Sequence, residues 1–364
     1  MDYMQQALAL AGQALGRVSP NPAVGAVLVR DGRLVGEGFT RPPGGPHAEV
    51  VALEQAGEAA RGATLYVSLE PCCHQGRTPP CTEAIIAAGV AEVHMAILDP
   101  DPNVNGRGRE ELTAAGIAVQ VGECEEEARR LNEAYIKHRT NGLPFVIAKF
   151  AASLDGRIAA ASGDSRWISG PQSLEWAHEQ RTTVDAIMVG ANTILVDNPQ
   201  LTARPGGQES ERQPLRVVVD SGDRTPANAR VLQGPGRALI ATSDRSEPSW
   251  RQALEAAGAE VLVLPGDGDF LDLRALLKAL AERGVLSLLV EGGGILLGSV
   301  FDQGLVDKVQ VIIAPMIIGA AEAPAAVAGR GADRLAQAWR LRDVTVERLG
   351  DDILVTGYPM KRGE

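Results

Sequence analysis

The apolar positions of this chain fall into short runs set off by Gly and Pro, and their period switches repeatedly between that of a helix and that of a strand. Leu8, Ala11, Leu15 and Val18 recur at helical spacing, so the chain opens on an amphipathic helix that stops near Ser19-Pro20-Asn21-Pro22. Ala23 to Val29 is nearly continuous in apolar residues, Asp31-Gly32 reads as a hairpin turn, and Leu34 to Thr40 returns from it. A Pro/Gly loop over 41–46 delivers His47 to the first turn of a helix whose apolar face is Val50, Val51, Leu53 and Ala56. Strand Thr64 to Leu69, helix Thr82 to Ala88, strand Glu92 to Leu98, helix Glu110 to Ala115 and strand Ala118 to Val121 follow. That alternation predicts a layered α/β domain. A helix from Cys124 to Thr140 ends this half, and its Glu and Arg run reads as a solvated, charge-paired face.

The pattern resumes after Gly142 and Pro144, so two domains are expected, 1–142 and 143–364. Strands are predicted at Phe145 to Phe150, Ala186 to Gly190, Leu215 to Asp220, Ala238 to Thr242, Val261 to Leu264 and Leu286 to Val290. Helices are predicted over Gln172 to Thr183 and along the Leu273, Leu276, Leu277, Leu280 stripe. Gln200 to Gln213 is the expected mobile loop. Lys308 to Ala314, Val344 to Leu349 and Ile353 to Tyr358 close the sheet, the last two as a hairpin. Glu291-Gly292-Gly293-Gly294, between a strand and the helix Ile295 to Phe301, can present backbone N–H groups to a phosphate. Without GxGxxG a Rossmann domain is not supported.

With 364 residues and 45% hydrophobic content, the chain can bury more than one core. A formal net charge of −11 argues against a nucleic-acid coat or a membrane-surface protein, both of which need a basic face. No apolar run reaches the roughly 18 residues of a membrane span. The N-terminus carries no basic, cleavable signal, so a cytoplasmic protein with a small-molecule substrate is expected. Of the four cysteines, three lie between Cys72 and Cys81, which suits a metal cluster better than a disulfide framework.

His47-Ala48-Glu49 and the later Pro71-Cys72 and Cys81 form the most specific signal. Zinc deaminases hold one metal by a His and two Cys and leave a fourth corner open to water, with a nearby Glu as general acid and base. His47, Cys72 and Cys81 are the candidate ligands and Glu49 the proton shuttle. A closed structural zinc with Cys73 or His74 as a fourth ligand is the plainer reading. Adjacent cysteines rarely share one zinc in good geometry, and a staple has no use for Glu49. Cys73, Cys124, His94, His138 and His178 are assigned packing or surface roles.

Eight residues separate Cys72 from Cys81, unlike the Pro-Cys-x-x-Cys of most base and nucleoside deaminases. The stretch Pro71 to Cys81, with Pro20-Asn21-Pro22-Ala23-Val24-Gly25 and His47-Ala48-Glu49 upstream, resembles the bifunctional riboflavin-biosynthesis deaminase/reductase family, in which the position of Cys73 is often Ser. The later motifs Ala152 to Arg157, Ser165 to Ile168, Thr193 to Arg204 and Glu291 to Gly293 resemble the same family in the same order. The resemblance implies a cytidine-deaminase-like α/β/α layered domain followed by a dihydrofolate-reductase-like α/β domain. It also implies zinc in the first, NADPH in the second, and a homo-oligomer.

By the same resemblance Asn21 helps hold the pyrimidine and His74 to Arg77 line the pocket mouth. Ala151, Trp167, Thr193, Asp197, Ser221 and the run Gly293, Gly294, Ile295, Leu296, Leu297, Gly298 and Ser299 would contact NADPH. Ser165, Arg181, Leu201, Arg204 and Glu291 would face the phosphoribosyl substrate, the two arginines as phosphate clamps. Asp197 and Glu291 remain alternatives for assisting hydride transfer. The implied reactions are hydrolytic deamination of a diaminopyrimidinone with a phosphoribosylamino arm, then reduction of the ribosyl to a ribityl chain. Two rivals remain: a single-function nucleoside or base deaminase with a non-catalytic C-terminal half, and a zinc-stapled binding protein.

Overall fold

The computed structural model describes residues 2–76, 78–267 and 270–360 and divides into two compact units, Met1–Leu143 and Pro144–Glu364. In the first, α1 (Tyr3–Gly12), β1 (Gly25–Arg30), β2 (Arg33–Phe39), α2 (Ala48–Ala56), β3 (Thr64–Val67), α3 (Cys81–Ala88), β4 (Glu92–Met95), α4 (Arg107–Ala114), β5 (Ala118–Val121), α5 (Glu125–Leu131) and α6 (Glu133–Asn141) follow in order. The strands make one sheet in the order β2-β1-β3-β4-β5. The β1 hairpin is antiparallel and β3, β4 and β5 run parallel. Loops at the C-terminal ends of parallel strands are where α/β sheets place their ligands.

Two departures from the sequence pattern have physical causes. The first helix ends at Gly12, although the helical period runs on to Val18. Ala14 and Val18 instead pack in turns against Ala23, with Leu15 and Leu131 at the edge, so burial outlasts the helix. The expected helix 124–140 is two helices, because Cys124 is an N-cap at φ 55 and Asn132 interrupts the middle. Asn132 is 2% exposed. Its Oδ1 accepts from Ala23 N at 3.0 Å, and its Nδ2 donates to Ala23 O at 3.0 Å. A buried amide that completes two backbone hydrogen bonds outweighs one turn of helix.

In the second unit, β6 (Phe145–Ser153), α7 (Pro171–Thr183), β7 (Ala186–Gly190), α8 (Ala191–Asp197), β8 (Leu215–Val219), β9 (Ala238–Ser243), α9 (Pro248–Ala256) and β10 (Glu260–Leu264) come first. A two-stranded pair β11 (Gly266–Asp267) and β12 (Phe270–Leu271), then α10 (Leu273–Glu282), β13 (Ser287–Glu291), α11 (Gly294–Asp302), β14 (Lys308–Ala314), β15 (Leu341–Leu349) and β16 (Asp352–Pro359) complete it. The large sheet has the order β10-β9-β8-β7-β13-β6-β14-β16-β15. It is parallel up to β14 and antiparallel in its last three strands. Buried Leu273, Leu276, Leu277 and Leu280 of α10 each contribute roughly 1.5–3 kcal/mol to its core. Strand β6 runs three residues past the predicted end, which puts Ala151 on the strand itself. Among the described residues, no helix is long and apolar enough to cross a membrane.

Candidate active sites

His47 is the N-cap of α2, Glu49 sits in that helix's first turn, and Cys81 opens α3. Cys72 lies on the loop between β3 and α3. His47 Nδ1 stands 3.5 Å from Cys72 Sγ and 3.4 Å from Cys81 Sγ, and the three ligand atoms lie within 4.8 Å of one another. Donors bound to one tetrahedral zinc at about 2.0 Å (N) and 2.3 Å (S) stand roughly 3.5 Å apart. The set therefore fits zinc in size and in donor chemistry. Among the described residues, no other group of three His, Cys, Asp or Glu side chains converges in this way. Cys73 turns aside, its Sγ 3.8 Å from Asn103 O, so it is not a fourth ligand.

The ligands are held by neighbours that the sequence motif does not announce. Thr78 Oγ1 lies 3.4 Å from His47 Nε2, which leaves Nδ1 for the thiols. Glu70, 3% exposed, accepts from the backbone N–H of Asp99 (3.1 Å), Gly106 (2.8 Å) and Arg109 (3.0 Å). It thereby ties the cysteine loop to the start of α4. Gly108 completes this joint, because a Cβ there would come within 2.3 Å of Pro71 O.

The thiols do not ionise alike. Hydrogen bonds from Cys81 and His47 hold Cys72 down at about 4. Cys81, which faces that thiolate and is buried, is pushed up. A divalent cation would draw both to the thiolate form. Burial, with the neighbouring Cys72 thiolate, pushes Glu49 up to about 7, in the range of a group that both takes and returns a proton.

A cavity of about 260 Å³ opens over these groups. Asn21 and His74 line it as expected, whereas Arg77 lies outside the described residues. Asp99, Asp101, Tyr135 and Arg139 also line it, and none of them was a sequence candidate. Asp99 and Asp101 lie on the loop between β4 and α4, and Tyr135 and Arg139 are four apart on α6. Tyr135 Oη donates to both oxygens of Asp99, at 3.0 and 3.2 Å.

In the second unit, Arg181 donates from Nε to Glu291 Oε1 at 2.9 Å and from Nη2 to Oε2 at 2.6 Å, and from Nη1 to Thr202 O at 3.0 Å. Lys149, missed from sequence, pairs in register with Glu291 across β6 and β13. Burial alone would raise Glu291, but the charges of Arg181 and Lys149 hold it at about 2. In this ion pair Glu291 is held as the carboxylate. Burial pushes the Lys149 ammonium down.

Asp197, part of the expected cofactor set, accepts from Ser165 Oγ at 3.3 Å and from Arg166, so it is tied to the 165–167 loop. Arg204 bonds Gln200 and Thr202, next to Arg181. Leu201 is 4% exposed at φ 55, so its side chain packs inward and only its backbone is left to meet a ligand. Asp220 holds the loop of Ser221 by accepting from Gly222, Arg224 and Thr225 N–H.

Within the expected cofactor run 293–299 the side chains point in different directions. Leu296 and Leu297 turn into the core, and Gly294 and Gly298 back onto Ala325 to Gly329, where a Cβ on Gly298 would strike Ala328 O. Gly293, Ile295 and Ser299 keep an outward face because a helix offers only one. Thr193 stands beside Gly293. Trp167 and Ile295, 70% and 62% exposed, present large apolar side chains at the surface of this unit.

Residues 144–355 match the model of the RibD C-terminal domain, and residues 1–97 that of the cytidine and deoxycytidylate deaminase zinc-binding region. A riboflavin biosynthesis protein RibD of Aquifex aeolicus is 42% identical over 97% of this chain and 97% of its own. Acinetobacter baumannii RibD superimposes with a TM-score of 0.89 at 38% identity, over 99% of this chain and 98% of that one. The diaminohydroxyphosphoribosylaminopyrimidine deaminase/5-amino-6-(5-phosphoribosylamino)uracil reductase of Thermotoga maritima does so with a TM-score of 0.85 at 36% identity, over 98% of each chain.

Proposed function

The chain belongs to the RibD family of bifunctional riboflavin-biosynthesis enzymes, and from that premise we propose how its residues divide the two reactions. It is a zinc-dependent deaminase and an NADPH-dependent reductase. The substrate is 2,5-diamino-6-(5-phosphoribosylamino)pyrimidin-4-one, deaminated to 5-amino-6-(5-phosphoribosylamino)uracil and then reduced to the ribityl compound. The observation that carries the deaminase assignment is the buried Glu49 beside three converging ligands in one cavity. A single-function deaminase is set aside, since the second half matches the RibD C-terminal domain.

In the first reaction His47, Cys72 and Cys81 would hold zinc, which when bound supplies a Lewis acid that makes water nucleophilic near neutral pH. Asn21 and the cavity wall orient the pyrimidine. Glu49 takes the proton of the attacking water and returns it to the ring nitrogen. It then takes the proton of the new hydroxyl group and delivers it to the departing amine, so the C–N bond breaks, the carbonyl forms and ammonia leaves.

In the second, NADPH when bound supplies the hydride. Arg204, with the N–H groups of Arg181 not used on Glu291 and Thr202 O, would meet the substrate's phosphate, and Glu291 holds the Arg181 fork in plane. Ring opening exposes a C=N bond at the anomeric carbon. Lys149, which pairs in register with Glu291 and whose ammonium is pushed down by burial, would give the proton that the nitrogen of that bond needs. Asp197 orders the loop that carries Trp167.

NADPH oxidation and ammonia release by wild type and Glu49→Gln test the pair of assignments. The variant is expected to keep its metal, lose ammonia release by about 10²–10⁴-fold, and oxidise NADPH only when given the deaminated compound. No oxidation by wild type with either compound would sink the reductase half.

A further inference from the structure

We infer that Arg139 receives the phosphate of the substrate's phosphoribosyl arm in the deaminase cavity, an inference that rests on the deaminase reading above. The chain carries a net charge of −11, and the cavity wall itself holds Glu49, Glu70, Asp99 and Asp101. A phosphate dianion entering such a space needs a fixed cation. Among the described residues that line the cavity, Arg139 is the one lysine or arginine.

Its geometry suits the task. The guanidinium lies over the Tyr135 ring, 5.1 Å from the centroid, and Tyr135 is anchored in turn by its two hydrogen bonds to Asp99. Stacking fixes the plane of the fork without using its donors. Asp101 Oδ2 approaches the Nε edge at 3.4 Å, yet Nε makes no hydrogen bond. Asp101 Oδ1 is already taken by the backbone and side-chain N–H of Asn103. Neither terminal nitrogen of Arg139 bonds a described residue, and the side chain is 32% exposed. Those two nitrogens are the pair that grips phosphate in a bidentate manner.

The cavity would then select phosphorylated substrates through a contact on the last helix of the unit, remote in sequence from every metal ligand. The test uses the full-length, zinc-loaded protein. Ammonia release is measured on the phosphorylated diaminopyrimidinone and on its dephosphorylated counterpart, for wild type, R139Q and R139K. Wild type should prefer the phosphorylated compound. R139Q should lose about tenfold to a hundredfold in kcat/KM on that compound alone, mainly through KM, and R139K should regain part of it. Ribose 5-phosphate should inhibit ammonia release by wild type and much less so by R139Q.

Equal losses on both compounds would mean that Arg139 only braces Tyr135, and would overturn the inference. So would a wild type indifferent to the phosphate, or a preference that survives R139Q and disappears in R77Q. Reductase turnover of the deaminated compound and zinc content, both expected unchanged, report folding. Failure of wild type to release ammonia from either compound would overturn the deaminase reading and this inference with it, so the two failures stay distinguishable.

Discussion

Arg181 and Glu291 meet fork to fork, at 2.9 and 2.6 Å, with the side chain of Glu291 only 7% exposed. Glu291 is held at about 2 against an ordinary value of 4.5, so the unfolded chain binds the extra proton between those values. The stabilisation is therefore complete above about pH 4.5 and is lost as the pH falls toward 2. It amounts to roughly 3 kcal/mol at about 1.4 kcal/mol per pK unit. Denaturant unfolding across that window should show the loss in wild type. A Glu291→Gln protein, already weakened by its unpaired Arg181, should lack this acid-dependent part.

Thr78 steadies the far side of the His47 ring. Thr78→Val should lower zinc affinity about 10–100-fold, as read by competition with a chelator. Chelation of either protein should abolish ammonia release and leave reduction of the deaminated compound intact. Equal affinities in the two proteins would deny Thr78 this role.

Asn132 grips Ala23, two residues from Asn21 on the cavity rim. Asn132→Ala leaves a buried N–H and C=O unpaired, at about 1–3 kcal/mol. The expected signature is a raised KM for deamination, with zinc content and reductase rate preserved. A fall in kcat at constant KM would contradict a positioning role for the 20–23 turn.

Gly108→Ala would drive a Cβ to within 2.3 Å of Pro71 O, at the joint where Glu70 caps α4. Overpacking there should cost about 1–3 kcal/mol and shift the Cys72 loop. Thermal melting and metal titration should both register the change. An unaltered zinc affinity would show the joint to be more compliant than its packing implies.

Periodicity and spacing located the ligands and most strands because both are local signals. His47, Glu49, Cys72 and Cys81 needed only a motif, and the α10 stripe only a period. What stayed hidden depends on distant partners. Asn132 breaks a helix for the sake of Ala23, 109 residues away, and Lys149 matters because β13 brings Glu291 beside it. Leu296 and Leu297 carried a family expectation of cofactor contact that helix facing does not allow for their side chains. Asp99 and Tyr135 became visible only once the loop after β4 and α6 shared a cavity.

The Glu70 joint bears on how this catalytic unit can travel between genes. The recognisable zinc-binding region ends at residue 97, two positions short of Asp99. A fragment recombined at that boundary would carry every metal ligand into a new context. It would leave behind the three N–H groups that Glu70 needs, the Asn132 clasp and the Tyr135 and Arg139 wall. The stretch to α6 is thus needed as a whole, and a piece ending earlier would carry a metal ligand set without a place to seat its substrate.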